Sequence, residues 1–288
     1  MKTKWLIGLL LLCAYQSLKA DSCFTSKHLR RVELGTTVLT HLALAKLWYA
    51  DYPQSKFHWF NDNKEWQQID KLGHAYSAYN LGVLSMEMAK KAGVPKNKIW
   101  QWGLFGSLFQ DPIEIWDGLS AGWGASWGDL MANSIGTALC IGQEQLWHEQ
   151  RIQYKFMYQA TNYASIRPNV LGSSLPESLL KDYNGQSYWL SFSPIKKHPV
   201  WAIAFGYGAK GMLGAFENKW QNAQQQTFDY TNIPRYRTYY LGLDIHWSAI
   251  KTNRKGLKTV FKILDGIKLP LPGIGFYQQK WHLKGFNY

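Results

Sequence analysis

Cysteine is scarce in this chain. Its 288 residues hold three, Cys13, Cys23 and Cys140, too few for a disulfide scaffold. Long apolar runs are missing too. The stretch from Trp5 to Ala14 is too short to cross a bilayer. A mean hydropathy of -0.30 argues against a polytopic inner-membrane protein. Acidic residues are few, 19 Asp and Glu against 32 Lys and Arg. There is no HExxH and no P-loop. Gly-Ala-Ser-Trp-Gly around Ser126 is not a nucleophile elbow, because the strand that should precede it is missing.

What is present begins with an address. Lys2 and Lys4 form a positive start, Trp5 to Ala14 an apolar run, and Ser17-Leu18-Lys19-Ala20 an acceptable cleavage site. Residues 1–20 therefore read as a secretory signal peptide, and the chain as exported to the periplasm or outer membrane. Leu-Leu-Leu-Cys13 resembles a lipoprotein signal, but that processing wants a small residue before the Cys, and Leu12 is not small. An oxidising compartment permits a disulfide between Cys23 and Cys140. The apolar helical setting of Cys140 equally suits a buried thiol.

Aromatic residues are abundant: 15 Trp, 17 Tyr and 13 Phe. They suit a packed core or a belt at lipid headgroup depth. Charge is uneven. Residues 21–150 carry 11 Lys and Arg against 13 Asp and Glu, and residues 151–288 carry 18 against 6, a net of +12. For an exported protein an anionic lipid surface is a better partner than nucleic acid.

The hydrophobic pattern predicts a helix over residues 33–50, a loop rich in aromatics over 51–68, and helices over 70–92, from 96 to 114 or 116, and from about 126 to 148. Between the last two lies a tight loop with glycines at 118, 122, 124 and 128. Beyond about residue 165 the period changes to two. Trp201, Ile203, Phe205 and Tyr207 share one face, as do Tyr239, Leu241, Leu243, Ile245 and Trp247. Four to six strands are expected. Leu257, Val260, Phe261 and Leu264, ringed by Lys251, Lys255, Lys258 and Lys262, form a basic amphipathic helix. It suits packing on the sheet or lying in a membrane interface. The fold class is α+β: a helical bundle of four to five helices over residues 21–165, then an antiparallel β-rich, basic region over 166–288.

Three polar pairs stand out. Asp70 and His74, Glu114 and Asp117, and Asp129 and Asn133 are each three or four residues apart, so each pair shares a helix face. Their neighbours are small or apolar, and buried carboxylates need partners. The economical arrangement gathers the pairs in one interior cluster, with Lys71 or His74 supplying positive charge. Such a cluster could be a structural network. It could be an acid/base site in which His74 works with Glu114 or Asp117. It could hold a metal through oxygen ligands and one imidazole. The sequence names no cofactor and no protein partner.

Asp70-Lys71-x-x-His74, then Glu114-x-x-Asp117-Gly118, then Gly124-x-Ser126-x-x-Asp129-x-x-x-Asn133-x-x-Gly136 resembles the YfiM-like family of predicted periplasmic or outer-membrane lipoproteins, a domain of unknown function. The likeness covers roughly residues 65–145. Lys181 to Gln186, followed by Tyr188 and Trp189, resembles enlarged Bacteroidota-type members. A weaker similarity, in the His, Glu and Asp-x-x-x-Asn order, is to VanZ-like membrane proteins, and it implies a membrane-edge helical core. The expected function is that of an exported envelope protein associated with the outer membrane. One alternative is an envelope enzyme, a hydrolase or transferase acting on lipid or cell-wall intermediates. In that case His74 is the acid/base, Glu114 and Asp117 orient it, and Asp129 and Asn133 position substrate. The other alternative is a helical partner-docking module.

Overall fold

The computed structural model describes residues 25–49, 52–195, 199–222, 224–286 and 288, with the side chains of residues 47 and 48 set aside. The expected signal peptide, Cys13 and Cys23 lie outside the described residues. The chain divides into two compact units, one within Met1–Asn63 and Ser77–Glu149, the other formed by Lys64–Tyr76 and Gln150–Tyr288. The architecture is α+β, with helices first and an antiparallel sheet after them.

Four long helices occupy the first half: α1 (Ser26–Leu44), α2 (Ile69–Lys91), α3 (Phe105–Gly118) and α4 (Trp127–Trp147). Helix α1 starts earlier than its apolar spacing suggests and ends in a wide turn, Ala45–Tyr49. The expected third helix is broken. Two short turns, Lys96–Lys98 and Trp100–Gly103, precede α3. Helix α2 is shared: its residues to Tyr76 belong to the sheet unit and those from Ser77 to the helical unit.

In the helical unit α3 crosses the second part of α2 closely. A Cβ on Gly106 would sit 2.1 Å from the Ala78 carbonyl oxygen, so only glycine fits there. The aromatic loop 52–60 is laced to the glycine-rich loop 118–125. Ser55 N–H donates to Leu119 O, His58 N–H to Gly118 O and Phe60 N–H to Ala125 O.

The second part of α2 buries Met86, Met88 and Ala89, but the other three long helices of the helical unit bury polar residues and expose large apolar ones. Helix α4 buries Asp129, Asn133, Thr137, Gln143 and Glu144 while Trp127, Met131, Ile135 and Leu146 are 62–73% exposed. Helix α3 buries Gln110 and Glu114 and exposes Leu108 and Ile115. Helix α1 buries Thr40 and His41 and exposes Leu34, Val38, Leu39 and Leu42. Apolar residues normally mark the inward stripe of an amphipathic helix; here they mark the outward one.

The sheet unit holds six antiparallel strands in the order β1-β2-β3-β6-β7-β8 and a two-stranded ribbon, β4-β5. The strands are β1 (Ile152–Tyr158), β2 (Gln186–Phe192), β3 (Trp201–Lys210), β4 (Lys219–Gln221), β5 (Thr227–Asp229), β6 (Tyr236–Ile245), β7 (Gly273–Tyr277) and β8 (Lys280–Lys284). That makes eight strands among the described residues, six of them in the main sheet. The first, over Ile152–Tyr158, lies before residue 165, in the stretch expected to be helical.

The register sets Leu190, Phe205, Leu241, Ile274 and Leu283 side by side across five strands. This face is the outer one: Phe205 is 54% exposed and Leu283 91%. The opposite face is buried and carries Lys155, Ser191, Thr238 and Asp244 around Trp189, Tyr240 and Tyr288. Gly206 leaves room for the Trp189 ring, which a Cβ there would meet at 2.5 Å. Period-two alternation is thus present as expected, with the apolar side outward. The outer edge of β1 is partly covered by the segment after α5 (Lys255–Leu264): Phe156 N–H donates to Gly266 O, and Phe156 O accepts from Lys268 N–H. Helix α5 buries none of its residues.

Just before α2, Trp66, Gln67 and Gln68 all adopt left-handed backbone, with φ of 47°, 53° and 66°. Such residues are strained and need external fixing. The sheet unit supplies it. Trp66 N–H donates to Ala215 O, Tyr207 OH to Gln67 O at 2.6 Å, and Arg237 to Gln68 Oε1 at 2.8 Å.

Candidate functional site

In the helical unit the centre is Ser126, the N-cap of α4. Its hydroxyl accepts the Asp129 N–H at 3.1 Å, as an N-cap should, and donates to Asp62 Oδ1 at 2.6 Å. Its own N–H donates to Glu114 Oε2 at 2.8 Å. Ser126 is 1% exposed and hydrogen-bonded through both its hydroxyl and its N–H. One turn along α4, Asn133 Nδ2 donates to Asp111 Oδ1 at 3.0 Å. Asp117 accepts from Tyr49 OH at 2.7 Å. Burial, then the adjacent Asp117, pushes the Tyr49 phenol far up, so it stays a donor.

Beside these carboxylates lies a cavity of ≈ 320 Å³. Its apolar lining comes from Phe57 and Trp59 of the aromatic loop, Leu108 and Ile115 of α3, and Ala125 and Leu130. Asp111, Pro112 and Glu114 complete the wall. Pro112 stands inside α3. It has no N–H, so the Leu108 carbonyl gets no donor from position 112. Trp59 stacks on Trp127 at 4.1 Å, and both rings are half-exposed.

The sheet unit holds the first expected pair. Burial opposes ionisation of Asp70. Yet the charges of His74 and Lys71, with hydrogen bonds from Tyr183 and Lys71, hold its carboxyl below the usual range. Lys71 Nζ is 3.2 Å from Asp70 Oδ2, and Tyr183 OH donates to Oδ1 at 3.0 Å. Among the described residues of this unit the deeper charges are others. Lys155 Nζ is 2.7 Å from Asp244 Oδ2, and Lys268 Nζ is 3.8 Å from Oδ1, all three side chains being essentially inaccessible. Lys268 also lies over the rings of Trp189 and Tyr288. Burial pulls its ammonium down to about 8 despite Asp244. His246 shares a hydrogen bond with Ser191, and burial, then Lys155, lowers its imidazole.

Of the expected residues, then, Glu114, Ser126 and Asp129 come together in the helical unit, with Asn133 one turn away and Asp117 held by Tyr49. Asp70, Lys71 and His74 group in the sheet unit. Sequence reasoning missed Asp62, Asp111, Lys155, Asp244 and Lys268. For Asp111 a signal existed: it lies three residues before Glu114, on the same face. For Asp244 the signal was its place beyond Tyr240 and Gly242 on the alternating face of β6.

Residues 58–143 match the model of a family described as predicted periplasmic lipoprotein (DUF2279). No curated protein and no solved structure matches the chain. The family description supports an exported, periplasmic address. Among the described residues no helix is long and apolar enough to cross a membrane.

Proposed function

We propose that this chain is an outer-membrane-associated protein whose two units turn their apolar surfaces to lipid and use their polar clusters as internal fasteners. One observation carries the reading: each unit buries polar side chains and exposes large apolar ones. In water that distribution costs stability, since exposed patches beyond a few hundred Å² are uncommon on soluble monomers. In lipid it is the expected order, apolar outside and polar within. The loops around Tyr52, Trp59, Trp123 and Trp127 supply aromatic rings suited to headgroup depth. Helix α5 presents Leu257 and Val260, about two-fifths exposed, among lysines, as an interfacial helix does next to anionic headgroups. The fastener role is favoured over acid/base work because Glu114 accepts the Ser126 N–H at the start of α4 and Asp117 accepts the Tyr49 hydroxyl.

The test is fractionation of producing cells, followed by alkaline carbonate washing of the outer membrane. The expected result is a chain that stays with the membrane and needs detergent to leave it. Recovery in the soluble periplasm would overturn the lipid-facing reading.

A further inference from the structure

Helix α5 is propped against the sheet unit and not packed into it, since none of its residues is buried. Phe261 stacks on Trp247 at 6.2 Å. Just past the last turn, the Asp265 carboxylate accepts the Trp247 N–H at 2.7 Å. Residues 245–288 hold eight Lys and Arg and a single acid, Asp265. Five of those cations, Lys251, Arg254, Lys255, Lys258 and Lys262, lie on the helix or just before it, and all five are exposed. At 3.6 residues per turn, Lys255, Lys258 and Lys262 fall within an arc of about 60°. Leu257, Val260, Phe261 and Leu264 fill an arc of about 100° on the other side. Part of that apolar stripe lies open, Val260 being 46% exposed. The helix also stands at one end of the sheet. Strand β6 ends at Ile245, whose partner on β3 is Trp201, and that ring is 59% exposed.

We infer that this end of the sheet unit docks on an anionic lipid leaflet, with α5 lying in the plane of the headgroups. Leu257 and Val260 then enter the start of the acyl chains, and the lysine stems reach back to the lipid phosphates. Charge and apolar area select this occupant together. A soluble polyanion would match the lysines and leave the apolar stripe in water. A neutral lipid surface would take the stripe and gain nothing from the five cations. An anionic leaflet meets both. The inference rests on the lipid-facing reading and deepens it by naming the lipid class and the end of the unit that meets it.

The experiment places a nitroxide at Val260→Cys, in a Cys23→Ser background. The full chain is reconstituted in vesicles of phosphatidylcholine alone, or of phosphatidylcholine and phosphatidylglycerol in equal parts. Collisions with a neutral nickel chelate report water at the label. The expected result is frequent collisions in the neutral vesicles and severalfold fewer in the anionic ones. Each lysine near an anionic surface favours docking by about fivefold. Replacing Lys255, Lys258 and Lys262 together by Gln should therefore weaken docking by on the order of a hundredfold and return the collisions to the neutral level. Salt at about 1 M, which cuts the screening length to about 3 Å, should do the same without any substitution. Collisions that are equal in both vesicles, or that stay low in anionic vesicles for the triple variant or at high salt, would overturn the proposal. A second label at Leu283→Cys keeps the two readings apart. Leu283 in lipid with Val260 indifferent to phosphatidylglycerol sinks only the docking surface. Leu283 in water sinks the lipid-facing reading, and docking then stands or falls on Val260 alone.

Discussion

The helical unit and the sheet unit solve one problem with opposite chemistry. Each turns apolar residues outward and must satisfy a polar interior. The helical unit does so mainly with carboxylates held by neutral donors: Ser126 and Asn133 on α4, Tyr49, and Ser85 for Glu33. The sheet unit uses charge against charge, two lysines around Asp244. The first interior is acceptor-rich and the second cation-rich. The lesson is that inversion of the pattern, and not the identity of the polar groups, is what the two regions share.

The largest expected effect sharpens that contrast. Asp244→Asn leaves two buried ammonium groups uncompensated and should cost about 3 kcal/mol or more. Asp117→Asn in the helical unit removes one charge-assisted hydrogen bond and should cost about 1.5–3 kcal/mol. Urea unfolding in detergent, followed by circular dichroism, compares them. Equal costs would break the distinction between the units.

The pH responses should also run in opposite directions. Burial raises Glu33 from 4.5 to about 7, despite Ser85 and Arg30. Its folded form holds the proton longer than the unfolded one. The associated stability is full below 4.5 and is lost as pH rises through 7. Lys268 is lowered from 10.5 to about 8, so the unfolded chain holds that proton longer. Stability is full above 10.5 and is lost as pH falls through 8. Melting temperatures across this range should show both slopes. Glu33→Gln should flatten the first alone and Lys268→Met the second alone.

The smallest expected effect concerns the left-handed turn ahead of α2. Gln67 contributes its carbonyl to Tyr207, so Gln67→Gly keeps that bond and relieves backbone strain. A gain of about 0.5–1 kcal/mol is expected after the entropy cost of glycine. A loss of similar size in thermal unfolding would mean that the turn is not strained.

Much of this was legible in the sequence. Helix stop signals located α2, a cap and apolar spacing located α4, and period-two alternation located β3 and β6. Spacing also paired Asp70 with His74, Glu114 with Asp117 and Asp129 with Asn133 on shared helix faces. What periodicity cannot give is the direction of a face: Phe205 and Leu241 alternate with Ala204 and Tyr240 whether the medium outside is water or lipid. Strand β1 was missed although Ile152, Tyr154, Phe156 and Tyr158 alternate with Gln153 and Lys155, and only the distant Asp244 explains why that lysine is buried. Asp62 was missed for a similar reason, its partner Ser126 being far along the chain.

The central claim is that the outward apolar face meets lipid. A nitroxide attached at Leu283→Cys, in a Cys23→Ser background with Cys140 buried, reports it directly in reconstituted vesicles. The account predicts high collision rates with dissolved oxygen and low rates with a water-soluble nickel chelate. The reverse order would contradict it.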